Sequence, residues 1–304
     1  MDLKDKKIGV VMGGVSAERD ISIKSGKAVT EALKERGYDA HEVLVDERVA
    51  EQLADAGIGA AFIVLHGGWG EDGRIQALCE MLRIPYTGSG VLASGLAMNK
   101  PQAKAIFMQN GIPTPAHCPA ISREFVFDSM CMKPPLVIKP SAEGSTVGIS
   151  VVRMESEFDE ALKKASEFDE TPMAEEFIEG RELTVGVIDG EPLGVVEVVP
   201  KSGFYDYESK YTPGATEYVA PAEISDELAE KVREIGKQSY AALGCRGAAR
   251  VDMRYEEKRG PFVLELNTIP GMTRLSLLPM SAKVMGMDFG ELCERMLKGA
   301  VPAG

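Results

Sequence analysis

The stretch from Arg250 to Thr273, RVDMRYEEKRGPFVLELNTIPGMT, carries two carboxylates and an amide at spacings that could hold a metal ion. It reads as two short strands about a charged turn at Lys258–Arg259. Pairing about that centre sets Asp252 opposite Glu265 and Arg250 opposite Asn267. Like charges directly across a strand pair destabilise it, so the hairpin needs a counter-charge. Two facing carboxylates with an amide two residues along the same face form an oxygen-rich cluster suited to Mg2+ or Mn2+. Mg2+ commonly keeps substrate phosphates as ligands, which implies a nucleotide. The competing reading is a solvated hairpin face, since acids are mostly exposed. Asn267 and the tight turn TIPGMT, whose backbone N–H groups could face an anion, favour the first reading.

Phosphates need cations. Lys139 ends the apolar strand LVIKP, and lysine is seldom buried without a partner. The glycines of EGSTVG just beyond would let backbone approach a phosphate. An ordinary strand-end lysine is the plainer alternative. Neither G-x-x-x-x-G-K-[ST] nor a G-x-G-x-x-G after the first strand is present, so a P-loop and a dinucleotide-dependent dehydrogenase are both disfavoured.

These residues must be positioned by surrounding elements. The strands KKIGVVMGG and AAFIVLHGG alternate with a helix over Ala17–Arg36, stopped by Gly37, and a helix over Arg74–Leu82. This predicts an open parallel α/β domain over residues 1–98, with ligands at the carboxyl ends of its strands. Residues 99–182 read as an α+β module containing PPLVIKP, FDEALKKASEF and PMAEEFI. Residues 183–304 hold further strands, the helix ISDELAEKVREIGKQSYAALG, the hairpin and a terminal helix. Between them, 201–218 (KSGFYDYESKYTPGATEY) is long and aperiodic, as binding loops and lids are.

Composition narrows the class. The 304 residues are 44% hydrophobic and 27% charged with a formal net charge of −13, so the basic footprint of a nucleic-acid or anionic-membrane binder is missing. The start MDLKDKKIGVVMGG runs directly into a strand, and no apolar run is long enough to span a bilayer. Five scattered cysteines make no C-x-x-C pair, and three histidines give little scope for a zinc site. A reduced, cytoplasmic protein is expected.

The motifs GGVSAERDIS, LHGGWGEDGRIQ, PYTGSGVLAS, VIKPSAEGSTVGIS, EEFIEGRELTVGV, FYDYESKYTPG, GCRGAARVD and LELNTIPGMTRLSLLP occur in this order over essentially the whole chain. In them the chain resembles the D-alanine–D-alanine ligases, of the ATP-grasp fold. The resemblance implies that ATP lies between two α+β domains. Its γ-phosphoryl group passes to the carboxylate of a first D-alanine, and the amine of a second attacks the acyl phosphate. Such chemistry rests on positioning and charge neutralisation. Asp252, Glu265 and Asn267 would then be ligands of Mg2+ or Mn2+, two ions in all, with K+ a possible further ion. Lys100, Lys139 and Lys210 would contact phosphates, Glu175, Glu176, Phe177 and Ile178 would hold adenine, and Glu182 the ribose. Arg250 and the Gly271 N–H would stabilise the oxyanion of the tetrahedral intermediate. Glu18 would hold the first ammonium and form a triad with Ser145 and Tyr211. His66 would lie near the substrate, and Ser276 with the Leu277 backbone would take the second carboxylate. Plainer roles also fit: a dipole-favoured acid at Glu18 and a helix N-cap at Ser276.

Two positions depart from the family pattern. Glu176 stands where many relatives have lysine, which removes an adenine contact, and Asn99 replaces the usual acid before Lys100. Tyr211 within ESKY favours an amine as second substrate over D-lactate. Ligases forming D-alanine–D-lactate or D-alanine–D-serine remain the alternative. SAERD and TIPGMTRLSLLP argue against a purine-pathway carboxylate–amine ligase, and a mere nucleotide binder would not need Arg250 or Tyr211. The family further implies a homodimer serving peptidoglycan precursor synthesis.

Overall fold

The computed structural model of the chain describes residues 3–144, 147–201, 212 and 214–300. Ser145, Lys210 and Tyr211 lie outside the described residues, as does most of the 201–218 stretch.

Three parallel strands open the chain, β1 (Lys7–Gly13), β2 (Asp39–Val45) and β3 (Ala60–Ile63), in the order β2-β1-β3. KIGVVMG is buried at every position after the first, as a strand covered on both faces must be. Helix α1 (Arg19–Glu35) covers one face through Val29 and Leu33 against Ile8, Val10 and Phe62. It ends before Gly37, whose φ of 78° is readily adopted only by glycine. The other face packs Val11, Ile63 and Leu65 on α2 (Val49–Asp55) and α3 (Arg74–Met81) through Leu53, Ile75 and Cys79.

A second, antiparallel sheet has the order β4-β7-β5-β6: β4 (His117–Pro119), β5 (Leu136–Lys139), β6 (Ser150–Val152) and β7 (Met173–Glu176). It packs Leu136, Ile138 and Ala174 under α6 (Phe158–Ser166). The third sheet is antiparallel in the order β10-β9-β8-β11-β12: β8 (Arg181–Ile188), β9 (Glu191–Pro200), β10 (Thr216–Val219), β11 (Ala248–Glu256) and β12 (Gly260–Asn267).

Two helices pack elsewhere than their place in the chain suggests. Helix α5 (Lys100–Gln109), which follows α4 (Val91–Met98), belongs to the central module by sequence order. Its Ala103 and Phe107 instead join Leu183, Val185, Val251 and Met253 of the third sheet, beside Val232 and Ile235 of α7 (Asp226–Ala242). After α8 (Leu277–Val284), the last helix, α9 (Phe289–Lys298), buries Leu292, Met296 and Leu297 in the core of the first sheet. Tyr38 Oη donates to Glu294 at 2.9 Å along that seam. An apolar stripe dictates that a helix be buried, not which sheet receives it.

Because side chains alternate along a strand, burying Leu183, Val185, Val251 and Met253 against α5 and α7 turns Glu182, Thr184, Arg250, Asp252 and Arg254 to the opposite face. That face looks onto the cleft between the second and third sheets.

Candidate active site

The hairpin has the expected register: Arg250 pairs with Asn267, Val251 with Leu266 and Asp252 with Glu265. A bulge follows between Asp252 and Met253, so that Met253 pairs with Val263 and Leu264 is the extra residue. The facing acids are each met by a cation. Arg250 donates Nε to Asp252 Oδ1 at 2.8 Å and Nη2 to Oδ2 at 2.7 Å. Thr184, on the neighbouring strand, donates Oγ1 to Asp252 Oδ1 at 2.6 Å. Lys100 Nζ stands 3.5 Å from Glu265 Oε2 and donates to the Glu143 carbonyl at 2.5 Å. Arginine and lysine side chains thus supply counter-charge that the strand pairing alone lacks.

A cleft of about 830 Å3 lies between the two antiparallel sheets. Lys139, Glu175 and Ile178 line it from one side, Glu182, Arg250, Asp252, Arg254 and Glu265 from the other. Lys139 Nζ donates to Glu175 Oε1 at 2.8 Å, and Lys104 Nζ approaches Oε2 at 2.5 Å. Burial favours the neutral form of Glu175, but the two ammonium groups outweigh it and hold the carboxyl below its ordinary range. Burial also pulls Lys104 down to about 8, against the attraction of Glu175.

The connection from Glu176 to Glu182 is braced by the hairpin. Arg254 donates Nε to the Ile178 carbonyl at 3.1 Å and Nη1 to Glu182 at 3.4 Å. Arg259 donates to Glu176 Oε1 at 2.6 Å, so this acid has its own cation. Phe177 lies beneath Arg254, 5.7 Å from ring centroid to guanidinium. Burial raises Glu182 to about 8, only partly offset by Arg254.

A smaller recess of about 410 Å3 adjoins the cleft and shares Arg250 and Glu265 with it. Lys100, Glu71, Gly144 and Asn267 are among the other residues that line it. His66, at the carboxyl end of β3, places Nδ1 3.2 Å from the Ile269 carbonyl and 3.7 Å from Glu71 Oε1. Glu18 precedes α1 without capping it. Its carboxylate lies beside Gly67, where a Cβ would sit 3.1 Å from Oε2. A Cβ on Gly144 would be 3.8 Å from the same oxygen and 3.6 Å from Glu71 Oε2. Glu18, His66 and Glu71 therefore meet where the first sheet faces the other two.

Ser276 occupies the N-cap position of α8 but makes no side-chain cap. Its hydroxyl instead accepts from the Thr273 N–H at 3.1 Å and lies 2.8 Å from Thr273 Oγ1. The simple capping role is thus not taken up. A Cβ on Gly271 would come within 3.0 Å of Ser276 Oγ, so a larger residue there would press on that hydroxyl. Leu277 lines the main cleft.

The described set brings Lys100, Lys139, Glu175, Glu182, Arg250, Asp252, Glu265 and Asn267 around two joined cavities, with Glu18 and His66 at the interface of the first sheet. Sequence reasoning missed Glu71, Lys104, Thr184 and Arg254. The i, i+4 spacing of Lys104 from Lys100 was the available signal for one of them. For Thr184 and Arg254 it was their alternation with residues of an apolar strand face.

Two carboxylates and an amide from adjacent strands form an all-oxygen donor set that fits a hard divalent cation. Among the described residues no group of three or more His, Cys, Asp or Glu side chains is arranged to hold a metal. Three donors do not fill an octahedral shell, so water or a ligand would supply the remaining oxygens. Asn267 Oδ1 already accepts from the Ile269 N–H at 2.9 Å, which fixes the amide.

Family models for the D-ala D-ala ligase N-terminus and C-terminus match residues 46–89 and 107–298. A D-alanine–D-alanine ligase of Syntrophotalea carbinolica is 48% identical over 98% of this chain and 97% of its own length. The crystal structure of a Bacillus anthracis D-alanine–D-alanine ligase complexed with ATP is 35% identical, with a TM-score of 0.84 over 96% of this chain and 95% of that one. The VanG D-Ala:D-Ser ligase of Enterococcus faecalis is 29% identical, with a TM-score of 0.85 over 97% and 99%. With the motif order, the three sheets and the cleft all in agreement, this chain belongs to the D-alanine–D-alanine ligase family of ATP-grasp enzymes.

Proposed function

We propose that this chain joins two D-alanines to D-alanyl-D-alanine at the expense of ATP, through an acyl phosphate, in the cytoplasmic synthesis of peptidoglycan precursors. The observation that carries the reading is the sharing of Arg250 and Glu265 between the large cleft and the adjoining recess. A nucleotide in the first would present its terminal phosphate to an amino acid in the second.

The residues divide the work by position. Glu175 to Ile178 and Glu182 would hold adenosine, while Lys100 and Lys139 would orient the phosphates, with Lys210. Asp252, Glu265 and Asn267 would hold Mg2+ or Mn2+, two ions in all, which when bound neutralise phosphate charge. Glu18 would take the ammonium of the first D-alanine beside His66, and would join Ser145 and Tyr211 in a hydrogen-bonded triad. The Leu277 backbone N–H opens helix α8 and would take the carboxylate of the second, assisted by the Ser276 hydroxyl. Arg250 and the Gly271 N–H would offset charge on the carboxyl oxygen as the amine attacks. A homodimer completes the proposal, with K+ a possible further ion.

A mass-spectrometric product assay tests it, with ATP, Mg2+, D-alanine and equal D-lactate and D-serine, against an L-alanine control. ATP-dependent D-alanyl-D-alanine as the main product is expected. A mixed dipeptide or an ester as the main product would keep the fold and chemistry and overturn the second-substrate assignment. ADP release without coupling would overturn the acceptor.

A further inference from the structure

Behind the strand-end lysine of the nucleotide cleft stands a second lysine to which the proposed chemistry gives no role. Glu175 accepts from Lys139 Nζ on Oε1 at 2.8 Å and meets Lys104 Nζ on Oε2 at 2.5 Å. All three residues are buried. Lys139 and Glu175 line the cleft, whereas Lys104 reaches Glu175 from helix α5 on the far side. Lys104 also donates to Thr114 Oγ1 at 2.8 Å and approaches the Val263 carbonyl at 3.5 Å. His117 on β4 and Glu265 on β12 are further titratable groups that feel these charges.

The charges in this cluster can be counted. Two ammonium groups and one carboxylate leave the trio with a net charge of about +1. With Lys104 absent, Lys139 and Glu175 would cancel, and a carboxylate in the wall of the cleft would meet any incoming phosphate through a lysine already satisfied. In a site of low dielectric that difference acts strongly on a polyanion and hardly at all on a neutral nucleoside. The surroundings suit the role: Lys104 does not line the cleft, yet it pairs with an acid that restrains Lys139.

We propose that Lys104 is a positioning residue for polyphosphate binding: by compensating Glu175 from behind, it leaves Lys139 with net positive charge for the nucleotide phosphates. This rests on the nucleotide reading of the cleft given above.

The test is the affinity of the full chain for ADP by isothermal titration, and for adenosine by displacement. The forms compared are wild type, Lys104→Met, Lys104→Arg, Glu175→Gln and the double variant Lys104→Met/Glu175→Gln. Lys104→Met is expected to weaken ADP about tenfold, the scale of one charge-assisted contact, with adenosine changed less than about twofold. Lys104→Arg should retain ADP affinity. The double variant should recover it, because Lys139 is again uncompensated. Equal losses for ADP and adenosine in Lys104→Met would assign Lys104 a structural role and overturn the proposal, as would an unchanged ADP affinity. Should Lys104→Met fail to fold, Glu175→Gln decides: a gain for ADP over adenosine supports the proposal, and no change in their ratio overturns it. A wild type that binds neither ligand overturns the nucleotide reading itself, and the proposal with it.

Discussion

Arg250 holds Asp252 with both nitrogens of one edge of its guanidinium, at 2.8 and 2.7 Å, across two residues of the same strand face. This two-point grip fixes the arginine where the main cleft meets the smaller recess. It also relieves the repulsion between Asp252 and Glu265 across the hairpin.

The grip predicts that lysine cannot replace Arg250. A lysine offers a point charge with no fork to match the carboxylate. Arg250→Ala and Arg250→Lys should both lower kcat, by about 10²- to 10³-fold if the guanidinium offsets developing oxyanion charge. Steady-state ADP release coupled to dipeptide formation measures this. A near-normal kcat in the Arg250→Lys variant would remove the oxyanion role.

Ser276 gives a second prediction, because its hydroxyl bonds Thr273 rather than capping α8. Loss of a true N-cap costs about 1 kcal/mol. Ser276→Ala should therefore cost less, about 0.5 kcal/mol. The same change should raise KM for the second D-alanine about tenfold, the scale of one hydrogen bond to a charged group. Urea unfolding and D-alanine saturation curves separate the two effects. A full capping loss with unchanged KM would return Ser276 to a structural role.

Much of this site was legible in the sequence because hairpins are local. The acids, the amide and the charged turn lie within one stretch, so pairing about Lys258–Arg259 sets Asp252 against Glu265, although the turn itself closes on Lys258, with Glu256 opposite Gly260, and the bulge makes up the difference. The bulge that makes Leu264 the extra residue was not legible, since Phe262, Val263 and Leu264 are all apolar and their types mark no change of face. Nor was the attachment of α5, whose Ala103 and Phe107 meet strands far along the chain. Lys104 was hidden for the same reason. Its partner Glu175 lies on β7, and only the packing of α5 against the third sheet brings the two together. Sequence spacing shows a helix face, whereas the acid that the face meets is a property of tertiary structure.

Glu182 predicts a pH dependence of stability. Burial raises its folded pKa from 4.5 to about 8. Between those values the folded chain holds a proton that the unfolded chain has released. Its contribution is therefore fully present below 4.5, declines as pH rises towards 8, and is level above. Glu182→Gln keeps a neutral side chain throughout. It should flatten the fall in Tm between pH 5 and 8 relative to wild type. Parallel Tm profiles for the two proteins would show that Glu182 ionises normally in the fold.

Glu176 and Arg259 yield the last prediction. Their contact is 2.6 Å but half open to solvent, with side chains 32% and 42% exposed. Exposed pairs contribute about 0–1 kcal/mol, so Glu176→Ala should leave stability nearly unchanged. A lysine at position 176 is a different matter. Glu176→Lys sets an ammonium against Arg259, and the new side chain should be driven away from the cleft rather than towards a nucleotide. ADP affinity should then stay near the wild-type value in Glu176→Lys and rise only in Glu176→Lys/Arg259→Ala, where the repulsion is gone. Titrations of the two variants decide it. A gain in the single variant equal to that in the double would show that Arg259 does not govern which charge this edge of the cleft can present.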